Sequence, residues 1–227
     1  WTSTAAPTPD DIAALNDGPR LPFDQPWLAK RDPAFQPGFV RLAHLGDRLL
    51  VFVDMTDAHI HSPAERFNDP SRKEGDFFEI LMRPCAQRSY YELHLTPTGC
   101  RSQFHFTDLD HVARLRAANP DADITPQLRY DLPVFDASVV VDESAGRWRV
   151  LATVHLPRLI DQPDRFPSGP IGPMTRRWRA AFCRWDCKPD TGEVVQSATA
   201  PFPAHNYHLH PAWHRLHLAS PADSPAV

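Results

Sequence analysis

The sequence predicts an all-β fold: an antiparallel β-sandwich with long loops and little helix. Three observations carry this. Strand-length apolar runs recur along the chain, each bounded by turn residues. Proline outnumbers glycine 25 to 9, and proline is poorly tolerated inside helices and central strands. No long apolar helical period is present. Many strands with almost no helix must bury their apolar faces against one another, which gives two packed sheets.

The elements follow in order. Residues 1–37 are punctuated by proline and read as an irregular segment packing on the domain, with one short helical turn at Ile12-Ala13-Ala14-Leu15. Phe39–His44 and Arg48–Asp54 read as strands around a Gly46-Asp47 turn. Leu49, Val51, Val53 and Met55 share one face of the second strand; Leu50, Phe52 and Asp54 share the other. Both faces are largely apolar, which places that strand centrally. Residues 56–75 form a long polar loop, and loops of this length are commonly functional. Phe77–Pro84, Tyr90–Leu95 and Ser102–Phe106 follow as strands, then a polar excursion over 107–135 with a short helix at Asp110–Ala118. Ser138–Val141, Arg147–His155, Arg177–Asp186, Val194–Ala198 and His214–Leu218 complete the set, with a second long loop over 156–175. Alternation puts Trp178 with Ala180 and Phe182, and Trp185 with Cys183 and Cys187; both faces, like Trp148, read as packed. The expected organisation is a single domain over 1–227, with its core at about 39–218 and a tail at 219–227.

Composition narrows the function. A net charge of −4 and a pI near 6.3 give no electrostatic case for nucleic acid. No apolar run approaches the ~18 residues that span a bilayer. The chain begins at Trp1, as a processed secreted form or a shortened chain would. Cys183 and Cys187 lie on one strand, about 13 Å apart and too far to bridge. Cys85 and Cys100 could pair across the hairpin, or all four thiols stay reduced.

The most informative stretch is the hairpin Gly75-Asp76-Phe77-Phe78-Glu79 to Tyr90-Tyr91-Glu92-Leu93-His94. Each strand carries a carboxylate in its middle, and a glutamate in an apolar strand is costly if buried alone. Glu79 shares a face with Phe77 and Leu81; Glu92 and His94 share a face opposite Tyr91 and Leu93. A polar recess there would let Arg177 or Arg179 neutralise Glu79, as a recess that binds or as a plain cross-strand pair.

Five segments, GDFFEILMRP, YYELHLTPTG, GRWRVLATVHLP, RRWRAAFCRWD and SATAPFPAHNYHLHPAWHRLHL, resemble the family 9 carbohydrate-binding modules and the stand-alone bacterial proteins similar to them. The resemblance runs from about Phe39 to Leu218. It implies a DOMON-type β-sandwich that binds a mono- or oligosaccharide without catalysis, outside the cell or in the periplasm, within a larger polysaccharide-degrading system. Two aromatic rings hold the sugar in that family, and charged and amide side chains bond its hydroxyls. The family requires no cofactor, and some members carry structural calcium. Where it places a tryptophan in the loop before the D-x-x-E strand, this chain has Phe67, with His59 and His61. Near Asn206 the rings on offer are Tyr207 and Trp213.

Flat rings stack on a pyranose and fixed polar groups satisfy its hydroxyls. The candidate ligand-binding residues are therefore Arg66, Phe67, Asn68, Glu79, Tyr91, His94, Arg177, Asn206 and Tyr207. Other chemistries have thinner support. The pairs His59/His61 and His208/His210 could share a metal, but complete no familiar spacing. Asp54, Asp57, Asp69 and Asp76 could offer oxygens to calcium without the spacing of a calcium loop. A haem-binding DOMON-type electron-transfer domain would need Met55 with a histidine such as His155 or His205. Glu79 and Glu92 could be a glycosidase pair if suitably separated. No nucleophile elbow, P-loop or dinucleotide fingerprint occurs.

Overall fold

The computed structural model describes residues 8–9, 19–69, 75–160 and 176–218, and the helical turn expected at 12–15 lies outside them. The described strands are β1 (Leu21–Pro22), β2 (Gly38–Leu45), β3 (Arg48–Thr56), β4 (Phe77–Pro84), β5 (Tyr90–Leu95), β6 (Arg101–Phe106), β7 (Phe135–Asp142), β8 (Arg147–His155), β9 (Arg177–Cys187), β10 (Val194–Ala198) and β11 (His214–His217). They form two antiparallel sheets, ordered β1-β2-β3-β8-β7 and β10-β9-β4-β5-β6. The first half of β9 pairs with β11 and the second half with β10. The expected sandwich is therefore present, with β3 central as its two apolar faces require.

Period-two alternation sorts each strand into two faces. Leu49, Val51, Val53 and Met55 of β3 and Trp148, Val150 and Val154 of β8 face the other sheet. They meet Phe78, Ile80 and Met82 of β4, Tyr91 and Leu93 of β5, and Trp178 and Phe182 of β9 in one continuous core. Burying each such side chain contributes roughly 1.5–3 kcal/mol. The β2–β3 turn closes at Gly46, whose φ of 61° suits a two-residue hairpin.

The second sheet is also covered on its outer face. After β10 the chain folds back across it, and Phe202, Tyr207 and Trp213 pack on Leu81, Tyr90, Phe106, Ala181 and Cys183. The Trp213 indole N–H donates to the Tyr207 carbonyl at 2.7 Å, which fixes this roof. The 107–134 excursion carries helices α1 (His111–Ala118) and α2 (Thr125–Leu128). Buried Gln103 ties its end down, donating to the carbonyls of Tyr130 (2.8 Å) and Leu132 (2.5 Å) and accepting from the Val134 N–H (3.1 Å).

Three expectations are corrected or narrowed here. All four cysteines are free thiols; Cys85 follows β4 while Cys100 precedes β6, which places them at opposite ends of the β4–β5–β6 meander. Met55 lies in the inter-sheet core opposite Trp148, whereas His155 faces Arg48 at the other end of the β3–β8 ladder, seven residues or about 23 Å away. His205 is exposed beyond the other sheet, so neither histidine forms an axial pair with Met55.

The loop before β4 is held closely. A Cβ added at Gly75 would lie 2.6 Å from Ser62 Cα and 2.8 Å from the His61 carbonyl oxygen. Both are backbone neighbours, with no flexible side chain to yield. Gly75→Ala is expected to cost about 1–3 kcal/mol, read by urea denaturation; an unchanged midpoint would show that the loop does not hold this approach.

Candidate functional site

The outer face of the second sheet gathers most of the chemistry. Glu79 on β4 pairs directly with His94 on β5, and Glu92 lies two residues before His94 on the same face. All three are at most 3% exposed. The His94 Nε2 to Glu92 Oε1 distance is 2.8 Å, and the Trp185 indole N–H donates to Glu79 Oε2 at 2.8 Å. One ligating atom from each of Glu79, Glu92 and His94 lies within 4.8 Å of the others. Phe77 stacks on His94 at 4.5 Å and on Trp185 at 5.1 Å, walling the cluster. His208 closes it from the roof: its Nε2 is 3.8 Å from Glu92 Oε2, and its Nδ1 is 2.9 Å from the Tyr90 hydroxyl.

The arginine expected to neutralise Glu79 is elsewhere. Cys183 sits opposite Glu79 on β9, while Arg179 sits opposite Arg83, four residues or about 13 Å along. Arg179 donates to the Trp213 carbonyl, and Arg177 is exposed at the start of β9. Burial, then the Glu79 charge, pushes the Cys183 thiol well up and keeps it neutral. Burial likewise raises the Tyr207 phenol, with added effect from Cys183 and Glu79. His210, buried against Tyr90 and Trp213, is pushed down to about 3 by burial and then by the charges of Arg83 and His208, so it is neutral at ordinary pH.

The remaining expected residues divide. Glu79, His94, Asn206 and Tyr207 belong to this face or its roof. Tyr91 points inward, 2% exposed, stacked on His105 at 4.6 Å. Arg66 and Phe67 are exposed beyond β6, where Arg101 lies over the Phe67 ring at 6.0 Å. Asn68 is buried with φ 63°; its Oδ1 accepts from the Gln103 N–H at 2.9 Å, so it ties the loop to β6. Arg177 lies at the opposite end of the sheet from this loop.

Two rings missed in the sequence sit at the mouth of the site. Asp24 bridges to Ala198, with both backbone bonds at 2.9 Å, and the Gln25 side chain donates to the Gln196 carbonyl at 2.8 Å. This docks the N-terminal segment along β10 and brings half-buried Trp27 against Tyr207 at 5.7 Å, stacked on His205 at 5.1 Å. Half-buried Trp185 meets the same Tyr207 at 6.3 Å. Two indoles thus contact one buried phenol, beside exposed His205 and Asn206. Trp27 is invisible to strand periodicity, and Trp185 reads as packed because its neighbours on β9 are buried.

A second polar cluster holds the β3–β4 loop to β9. Asp57, Asp76 and Asp186 are buried, with one oxygen of each within 4.8 Å of the others. Buried Arg184 lies 3.2 Å from both Asp57 and Asp186 and donates to the Gln36 carbonyl at 3.2 Å. Asp57 accepts from the Trp148 indole at 3.2 Å, and Asp76 from the N–H groups of His61 (2.6 Å) and Cys187 (2.7 Å). Burial, then the Asp57 charge, raises Asp76 to about 7, and burial raises Asp186. Of the other acids considered for calcium, Asp54 pairs with Arg147 and Asp69 accepts from N–H groups of its own loop.

Two antiparallel sheets in this order, with a roofed outer face, define an all-β sandwich. The chain is similar to a protein from Bacteroides uniformis proposed to bind carbohydrate, with a TM-score of 0.65 at 14% identity over 96% of this chain and 95% of that one. It is also similar to a family 9 module from Caldicellulosiruptor kristjanssonii, solved with cellotriose (TM-score 0.63, 12% identity, 99% and 94% covered) and with glucose (0.56, 12%, 89% and 86%). No protein-family model and no curated protein matches the sequence. At these identities the likeness shows the fold.

Proposed function

We propose that this chain is one non-catalytic carbohydrate-binding domain that holds a mono- or oligosaccharide against Trp27 and Trp185. The observation that carries the reading is the pair of half-buried indoles that both contact Tyr207, next to an exposed amide and imidazole. Stacking rings with a few polar groups at their edge is what a pyranose requires. Glu79 acts here by orienting the Trp185 indole. Neighbours of the same fold bound to glucose and cellotriose support the ligand class. Burial of Glu79 and Glu92 beneath aromatic side chains supports a binding role over hydrolysis, since no substrate reaches them. Phe67, 40% exposed, offers a further ring at the far edge of the sheet. In this reading no cofactor is required, and Arg184 supplies charge that calcium would otherwise balance at the Asp57–Asp76–Asp186 trio. The domain works outside the cell or in the periplasm, as part of a polysaccharide-degrading system; none of the described helices is long and apolar enough to cross a membrane.

Titration with glucose, cellotriose and a broad glycan array is expected to quench tryptophan fluorescence for at least one ligand. Trp27→Ala and Trp185→Ala should each weaken that binding roughly 10- to 100-fold, the equivalent of about 1.5–3 kcal/mol of lost ring burial, while leaving the fold intact. No binding to any glycan at millimolar concentration, or unchanged affinity in both variants, overturns the assignment.

A further inference from the structure

We propose that Glu79, Glu92 and His94, completed by His208, form a binding site for a divalent transition metal such as zinc. Three elements converge to make it: β4 supplies Glu79, β5 supplies Glu92 and His94 through an E-x-H alternation, and the roof supplies His208. The register of the hairpin sets Glu79 opposite His94, and one ligating atom from each of the three strand residues lies within 4.8 Å of the others. His208 Nε2 approaches from the roof and is 3.8 Å from Glu92 Oε2.

The donor set is two carboxylates and two imidazoles, which suits zinc and its first-row neighbours rather than calcium or magnesium. The two carboxylates of the quartet offer negative charge, which a divalent ion balances in a buried setting. Groups beyond the quartet hold it as metal ligands are commonly held. The Trp185 indole N–H fixes one oxygen of Glu79, and the Tyr90 hydroxyl engages His208 Nδ1, with Nε2 on the side of Glu92. Phe77 and Phe104 pack on His94 and keep the pocket apolar. His208 is 31% exposed and gives the ion its way in. The site adjoins the proposed sugar site through the Trp185–Glu79 hydrogen bond, while neither Trp27 nor His205 takes part.

The test is titration of chelator-treated whole chain with Zn2+ and with Co2+ as a spectroscopic probe. One equivalent of either ion should bind, and Co2+ should show ligand-field bands of nitrogen and oxygen ligation without a thiolate charge-transfer band. Glu92→Gln and His94→Gln should abolish stoichiometric binding. His208→Gln should weaken it roughly 10- to 100-fold, and His214→Gln, outside the quartet, should leave it unchanged. X-ray absorption of the Zn2+-loaded wild type should show two imidazoles, a measurement that stands even if the Glu92 or His94 variants fail to fold. No stoichiometric binding by the wild type, three or more imidazoles on the metal, or full affinity in a folded Glu92→Gln variant overturns the site. The metal titration is made without sugar, so its outcome is read whether or not the chain binds a glycan.

Discussion

Replacing Arg184 with methionine is expected to destabilise the protein by about 3–5 kcal/mol, the range for removing one partner of a buried ion pair. Arg184 is 1% exposed and stands 3.2 Å from both Asp57 and Asp186. Methionine fills much of its volume but leaves two buried carboxylates without the guanidinium and strips the Gln36 carbonyl of a donor. At this chain length the loss corresponds to a fall of roughly 6–20 °C in Tm. The damage should be partly repaired by adding Asp186→Asn, because the cost is uncompensated charge and not lost packing. Urea denaturation of wild type, single and double variants measures it. A single variant within 1 kcal/mol of wild type, or a double variant no better than the single, would contradict this account of the cluster.

That cluster also shows where sequence reading stops. Strand-length apolar runs bounded by turn residues announce strands, so β2, β3, β4, β5, β8, β9 and β10 stand within a few residues of their sequence-derived bounds. Alternation correctly sorts Glu92 and His94 from Tyr91 and Leu93, and the five-residue connection Cys85–Ser89 fixes a register that sets Glu79 against His94. It cannot say which face of a sheet is roofed. The outer face of the second sheet is buried because residues 199–213, with Leu128 and its neighbours in the 107–134 excursion, fold over it, and residues 199–213 have no period. Arg184 falls by alternation on the same face as Phe182, an odd place for a cation until Asp57 and Asp76 arrive from a distant loop. Trp27 is placed by backbone pairing of Asp24 with Ala198, a contact between segments far apart in the chain. The core was thus legible, whereas the mouth of the site depended on irregular segments docking onto it.

Asp76 is expected to contribute a loss of stability as pH rises from about 4 to about 7, set against the opposite contribution of buried His210, held down to about 3, so the comparison with an Asp76 variant isolates it. Asp76 has its folded pKa raised from the ordinary 3.8 to about 7, chiefly by burial and then by the Asp57 charge. The folded state therefore holds a proton across this window that the unfolded state has released. Since the slope of unfolding free energy with pH follows protons bound unfolded minus folded, it is negative there. A shift of about 3 units corresponds to about 4 kcal/mol in full, reached near pH 7 and flat above it. Asp186, also raised by burial, acts in the same direction. Asp24, Asp69 and Asp136 are lowered, by Arg31, by loop N–H groups and by His155 respectively, so they act with opposite sign and only below the ordinary carboxylate range. Asp76→Asn separates charge from shape. Its single oxygen can accept from only one of the His61 and Cys187 N–H groups, which costs about 1–3 kcal/mol at pH 5. At pH 8 the wild type carries the buried charge and the variant does not, so the gap should close or reverse. Denaturation curves of both proteins between pH 4 and 8 decide it: parallel slopes would mean that Asp76 releases its proton well below the window, and that Arg184 already balances the trio at neutral pH.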